Sequence, residues 1–159
     1  MAIKSIKIGG RVEFAQILAG YDTTLAAMNA DAQIGQIMIG GDLIASSIVA
    51  GVSTPAPFFG TAADTKASGA GVKDSLDTNG AISRIGGIVI KGSVLGTAAT
   101  NDAITFGIVA QQLGSLSVGG TRIPLQSGAS NDLFSAERRL GATLGTTSDG
   151  FDFHAFEIA

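Results

Sequence analysis

Apolar residues recur along this chain in a spacing that itself repeats. Residues 3–20 read IKSIKIGGRVEFAQILAG and residues 34–51 read IGQIMIGGDLIASSIVAG. They match without gaps at Ile3/Ile34, Ile6/Ile37, Ile8/Ile39, Gly9/Gly40, Gly10/Gly41, Ile17/Ile48, Ala19/Ala50 and Gly20/Gly51. A third copy starts at Ile85 (IGGIVIKGSVLG), with Ile88, Ile90 and Gly92 in the same places. A fourth starts at Leu113 (LGSLSVGGTRIPL), with Leu116, Val118, Gly119 and Gly120. The repeat is about 30 residues long, with one insertion of about 20 between the second and third copies.

In I-x-x-I-x-I the last two apolar residues flank one outward position, the period of a strand with one buried face. A small pair, usually Gly-Gly, comes next and permits a corner with positive φ or close backbone approach. A second short strand then ends in Ile17-Leu18-Ala19, Ile48-Val49-Ala50 and, after a detour, Ile108-Val109-Ala110. A unit this small cannot bury its own apolar face. Stacking equivalent strands about 4.8 Å apart gives a continuous column of Ile, Val and Leu. The pattern therefore predicts an all-β fold, a parallel β-helix or related β-solenoid of about four rungs. An antiparallel sandwich with Gly-rich turns accounts for the alternation but not for identical placement of Ile, Ile, Ile and Gly in four segments.

Residues 1–159 read as a single domain, with an insertion at 53–80 and a C-terminal loop and cap at 126–159. The Ala- and Leu-containing stretch from Tyr21 to Ala32 permits a turn of helix with Asp22 or Thr23 as N-cap. The insertion is expected to be a surface loop in which Phe58-Phe59 provides a buried anchor. Phe151, Phe153 and Ala155, alternating with Asp152, His154 and Glu157, predict a final strand that covers the last rung. The first repeat has no capping element before residue 3, so its edge should be open and should promote self-association through the end of the stack.

Composition narrows the function classes. Hydrophobic residues make up 45% of the chain and charged residues only 14%, which excludes an intrinsically disordered chain. The net charge of −3 and the lack of a basic cluster argue against nucleic acid as a partner. Zero cysteines remove disulfides, thiolate catalysis and Cys-based metal sites. No apolar run reaches the roughly 20 residues that span a bilayer. The opening MAIKSIKI lacks the apolar core and cleavage site of a signal peptide. It reads as Met placed ahead of a fragment, with any export signal in sequence outside it.

Candidate chemistry is sparse. His154 is the single histidine, with Asp152 two residues away, but no Gly-x-Ser-x-Gly elbow accompanies them. The expectation is an exposed His on a polar strand face. Residues 86–93, GGIVIKGS, fail the phosphate-loop template because Lys-Gly-Ser is out of order and the middle is a strand. The outward rung positions Lys7, Met38, Val89 and Ser117 hold no converging carboxylates, so no catalytic residue is expected and the chain reads as not an enzyme. Asp74, Asp77 and Asn79, with Gly80 next in the chain, offer hard oxygen ligands at a sharp turn, with Asp64 supplying another, and make calcium the candidate cofactor. The EF-hand spacing is not met, and Asp and Asn before Gly are also ordinary turn formers.

The series IGQIMIGGDLIASSIVAGV, FFGTAADT, ISRIGGIVIKGSVLGT, FGIVAQQLGSLSVGG and DGFDFHAFEI resembles the C-terminal repeat region of very large exported proteins of planctomycete-type bacteria. The likeness covers nearly the whole chain. It implies a parallel β-helical segment of a secreted or cell-surface protein, broadly like autotransporter passengers and adhesin stalks. In such relatives the FFGT element sits in an acidic stretch of calcium-binding appearance. Here Thr54-Pro55-Ala56-Pro57 replaces the leading acidic residues and Ala63 stands beside Asp64. The function expected is a non-enzymatic structural or adhesive module with a cell-surface or glycan partner; the alternative is a carbohydrate-binding or carbohydrate-cleaving β-helix.

Overall fold

A computed structural model describes residues 1–55, 57–74, 80–97, 104–133 and 153–159. Among these residues the fold is all-β, with no helix and with mostly parallel sheets. The strands are β1 (Ile3–Ile8), β2 (Val12–Glu13), β3 (Gln16–Ala19), β4 (Gln33–Ile39), β5 (Leu43–Ile44), β6 (Ser47–Ala50), β7 (Val52–Ser53) and β8 (Thr65–Lys66). They continue with β9 (Arg84–Ile90), β10 (Val94–Leu95), β11 (Phe106–Ala110), β12 (Gln112–Leu113), β13 (Leu116–Val118), β14 (Thr121–Ile123) and β15 (Phe153–Glu157).

The chain visits three sheets in turn. The first runs β1-β4-β9-β13-β14, with β12 also on β9; the second runs β10-β5-β2; the third runs β15-β11-β6-β3. Pairing is parallel throughout these sheets except between β13 and β14. Parallel register places the repeat copies over one another. Ile6 opposes Ile37, Ile37 opposes Ile88, and Ile88 opposes Leu116. Ile3, Ile34, Ile85 and Leu113 form a second such row, and Ile8, Ile39, Ile90 and Val118 a third.

Together with Val12, Leu43 and Val94 of the second sheet and Ile48, Ile108 and Phe153 of the third, these rows make one apolar core. Burying an Ile side chain fully is worth roughly 1.5–3 kcal/mol, so the central rows supply most of the favourable energy. The core thins toward β1. Ile3, Ile6 and Ile8 are half-buried, whereas Ile34, Ile37 and Ile39 are fully enclosed.

One constraint lies inside the repeat. The residue after the first Ile is Lys4, then Gly35, Gly86 and, after Leu113, Gly114 in the successive copies. A Cβ on Gly35 would strike the Lys4 carbonyl, one on Gly86 the Gly35 carbonyl, and one on Gly114 the Gly86 carbonyl. Each pass therefore needs glycine where the preceding pass brings its backbone close. Lys4 holds the same place in the first pass, on the side of β1 where no described strand pairs.

The fourth copy departs from the first three. Gly119 and Gly120 have φ of 57° and 80° and reverse the chain into β14, antiparallel to β13. Two consecutive left-handed residues are the geometry of the tight hairpin turn whose twist matches the flanking strands. The helical turn expected near Asp22 is replaced by a loop. Asp22 Oδ1 accepts from the Thr24 amide at 2.8 Å, the Thr24 hydroxyl at 2.7 Å and the Ala26 amide at 3.0 Å. Leu25, at φ 65°, completes the turn, and Tyr21 bridges Ala27 across it. A side chain that binds its own neighbouring amides offers the backbone an alternative to helix.

Candidate functional site

The insertion builds a second, smaller core on the outer face of the third sheet. Val49 and Val109 point outward there, and Val52, Phe59, Phe156 and Ile158 pack with them. Phe59 is the buried anchor, meeting Tyr21 edge-on with ring centroids 6.0 Å apart and planes at 84°. The Tyr21 hydroxyl donates to the Val52 carbonyl. This cover explains why every residue of β6, β11 and β15 is buried on both faces.

His154 is therefore not exposed. It stands on β15 in register with Gly107, on the face that also holds Phe156, and is only 7% accessible. Alternation along the strand suggests a polar outer face for it; the insertion covers that face. Asp152 lies outside the described residues.

Of the four candidate calcium ligands, Asp64 and Asp74 are among the described residues, and each has protein partners. Asp64 is buried and its Oδ2 accepts from the Gly60 amide at 2.8 Å and the Thr61 amide at 3.3 Å, closing the turn beyond Phe59. Burial pushes its carboxyl above the usual carboxylate range, against the pull of the Gly60 N–H and the Thr54 hydroxyl. Burial first, and the nearby Asp64 charge second, push the Tyr21 hydroxyl well above the usual phenol range. Asp74 instead pairs with Lys66 Nζ at 2.7 Å. Asp77 and Asn79 lie outside the described residues. Among the described residues no group of three or more His, Asp and Glu is placed to hold a metal ion.

Glu157 is a buried polar centre, in contrast to the outward position expected from its charge. It is fully enclosed, and its Oε1 accepts from the Leu113 amide at 2.8 Å. Its Oε2 accepts from the Asn131 amide at 2.9 Å and the Asp132 amide at 3.3 Å. Its own amide donates to the Asp132 carbonyl. The sequence carries a signal for this: 157 has the parity of Phe153 and Ala155, which face the core, and opposes Ala110. A carboxylate occupied by backbone donors is a clamp rather than a reactive group.

The outer face of the first sheet stays open. Met38 and Val89 are each 39% exposed there, and a trough of about 420 Å³ runs past Ser5, Lys7, Gln36, Gly87 and Ser115. A second, apolar hollow of about 270 Å³ sits at the corner between the second and third sheets, against Phe14, Ala45, Phe58 and Phe106. No protein-family model, curated protein or solved structure matches the chain.

Proposed function

We propose that the chain is a β-solenoid module, structural and adhesive rather than enzymatic, of a large extracellular or cell-surface protein. The observation that supports this reading is the row Ile6, Ile37, Ile88 and Leu116, in parallel register through one sheet, repeated by two further rows beside it. Parallel strands that contact only their neighbours in a stack give stiffness along one direction and present like positions in rows. The described carboxylates engaged in the interior serve the fold: Asp64 closes a turn and Glu157 binds three amides. A module of this kind works by geometry, holding its loops and open face at fixed spacing.

The register is tested by a disulfide. Met38 and Val89 are in register on adjacent parallel strands and both reach solvent. Strand spacing of about 4.8 Å falls within the Cα separation a disulfide bridges. The Met38→Cys/Val89→Cys variant is expected to close an intramolecular disulfide on mild oxidation. Failure to close, with the Lys7→Cys/Met38→Cys pair also failing, overturns the stacked register. Surface labelling of intact source cells tests the location: an antibody to the chain should stain them without permeabilisation.

A further inference from the structure

We propose that the outer face of the first sheet binds an extended polyanion, an acidic polysaccharide carrying carboxylate or sulfate groups. The proposal rests on the adhesive reading above and names what the module adheres to.

Charge is distributed unevenly over the molecule. The chain carries a net charge of −3, yet no Asp or Glu stands in β1, β4, β9, β12, β13 or β14. The same sheet bears Lys7 on β1 and Arg122 on β14, in register with the outward positions Met38 and Ser117, together with Lys4 toward the β1 edge, Arg84 on β9 and Lys91 directly after β9. All five are exposed. Elsewhere, Arg11 pairs with Glu13 at 3.0 Å and Lys66 with Asp74 at 2.7 Å. None of the five cations of the first sheet has an ion-pair partner among the described residues. The acids nearest in sequence to β4, Asp31 and Asp42, stand beyond its two ends, and Asp42 accepts the Ser93 amide at 2.7 Å. An acid-free face with unpaired cations, on a protein of opposite net charge, concentrates an anionic ligand at that face.

The shape of the face fits a chain of sugars. Gln36, Gly87 and Ser115 succeed one another across β4, β9 and the approach to β13, with Ser5 opposite Gln36 on β1. Glycine at 87 leaves the floor low between two polar side chains, and the trough opens along the stack there. Ser5, Gln36 and Ser115 supply donors and acceptors for hydroxyl groups. Met38 and Val89 offer apolar surface for the C–H faces of pyranose rings. No Phe, Tyr or Trp lies on any strand of this sheet, so base stacking, which carries single-stranded nucleic-acid binding, has no platform. Lysines on an edge strand also discourage unwanted strand pairing. That role covers Lys4 and Lys7 on one edge strand and Arg122 on the other, β14, but not Arg84 on the interior strand β9 or Lys91 directly after it.

Calorimetric titration at low salt tests the proposal with four probes: oligogalacturonate for carboxylate, dextran sulfate for sulfate, neutral dextran and oligo-dT. Saturable binding of one or both acidic polysaccharides, and none of neutral dextran, is expected. Lys7→Gln and Arg122→Gln should each weaken binding about fivefold, and Lys73→Gln, an exposed cation outside the sheet, by less than about twofold. Amide exchange of β4 and β9 is read on the same samples. Absent binding with those amides protected overturns the polyanion site and leaves the stacked fold standing; absent protection overturns the stack itself. Equal loss in Lys73→Gln, or tighter binding of oligo-dT than of either polysaccharide, also overturns the site.

Discussion

The Glu157 carboxylate accepts the Leu113 amide at 2.8 Å, tying the last strand of the third sheet to the last pass of the first. The same group receives the amides of Asn131 and Asp132, so one side chain fixes three separate segments at the end of the stack. Replacing it with Ala leaves two buried donors, the Leu113 and Asp132 amides, and the part-buried Asn131 amide without this acceptor, and each buried donor left unsatisfied costs roughly 1–3 kcal/mol. Glu157→Ala should therefore lose about 3 kcal/mol or more in urea denaturation, and Glu157→Gln, which keeps one acceptor oxygen, clearly less. Equal, small losses for both variants would contradict the clamp.

Two glycines that look alike in sequence should respond differently to Ala. A Cβ at Gly86 meets the Gly35 carbonyl, which belongs to a neighbouring strand and cannot swing away. At Gly10 a Cβ meets nothing within 4 Å, and φ is not positive. Gly86→Ala is expected to destabilise by about 2 kcal/mol, as overpacking of a tight backbone contact does. Gly10→Ala should stay within about 0.5 kcal/mol of the parent. Thermal unfolding of the pair measures both.

Asp64 gives the fold a specific pH signature. Its folded carboxyl titrates above the usual Asp value, so the native state binds the proton more tightly than the unfolded chain. Stability then falls as pH rises from the ordinary Asp value of 3.8 through the raised folded value, and recovers on acidification across that window. Asp64→Asn removes this dependence while keeping an oxygen for the Gly60 amide. Chemical denaturation at several pH values should show a flatter profile in the variant. Tyr21 acts at the other extreme: the unfolded phenol ionises near 10.0 and the folded one higher, so stability declines above that pH.

Calcium should leave the melting temperature unchanged. Asp64 Oδ2 accepts from two backbone N–H groups and Asp74 Oδ2 pairs with an ammonium, so one oxygen of each carboxylate is already engaged. Titration with calcium followed by EDTA checks this. A rise in melting temperature that Asp74→Asn abolishes would instead establish a site that includes residues 74–80.

The rows of Ile are legible in the sequence because a repeat of fixed length places identical side chains at identical heights, and strand parity alone assigns their face. The buried Phe59 is legible as an apolar anchor in a polar stretch. Other features depend on distant chain. The outer face of the third sheet becomes an interior because Val52, Phe59 and Tyr21 pack over it, and His154 on that face is buried with it. The Gly-Gly pair of the fourth copy closes a hairpin, whereas in earlier copies the equivalent corner leads into the second sheet. The pair itself permits either course, and the strand partner open to the downstream residues decides between them. At Glu157 position outweighs charge: parity sets the side chain inward, and amides from two other segments make that tolerable. The glycine beside the first apolar residue of each later copy has no local cause, since its reason lies in the carbonyl of another pass.

Lys4 among Gly35, Gly86 and Gly114 has a bearing on how such a chain lengthens by gene duplication. A copied segment spliced between two interior passes arrives with glycine where its neighbour demands it, and the array grows without further change. A strand stacked directly on β1 in the same register would meet the Lys4 side chain, and that position must mutate before such a strand can seat. Insertion between glycine-bearing passes is open in a single event, and stacking against a lysine-bearing one needs two.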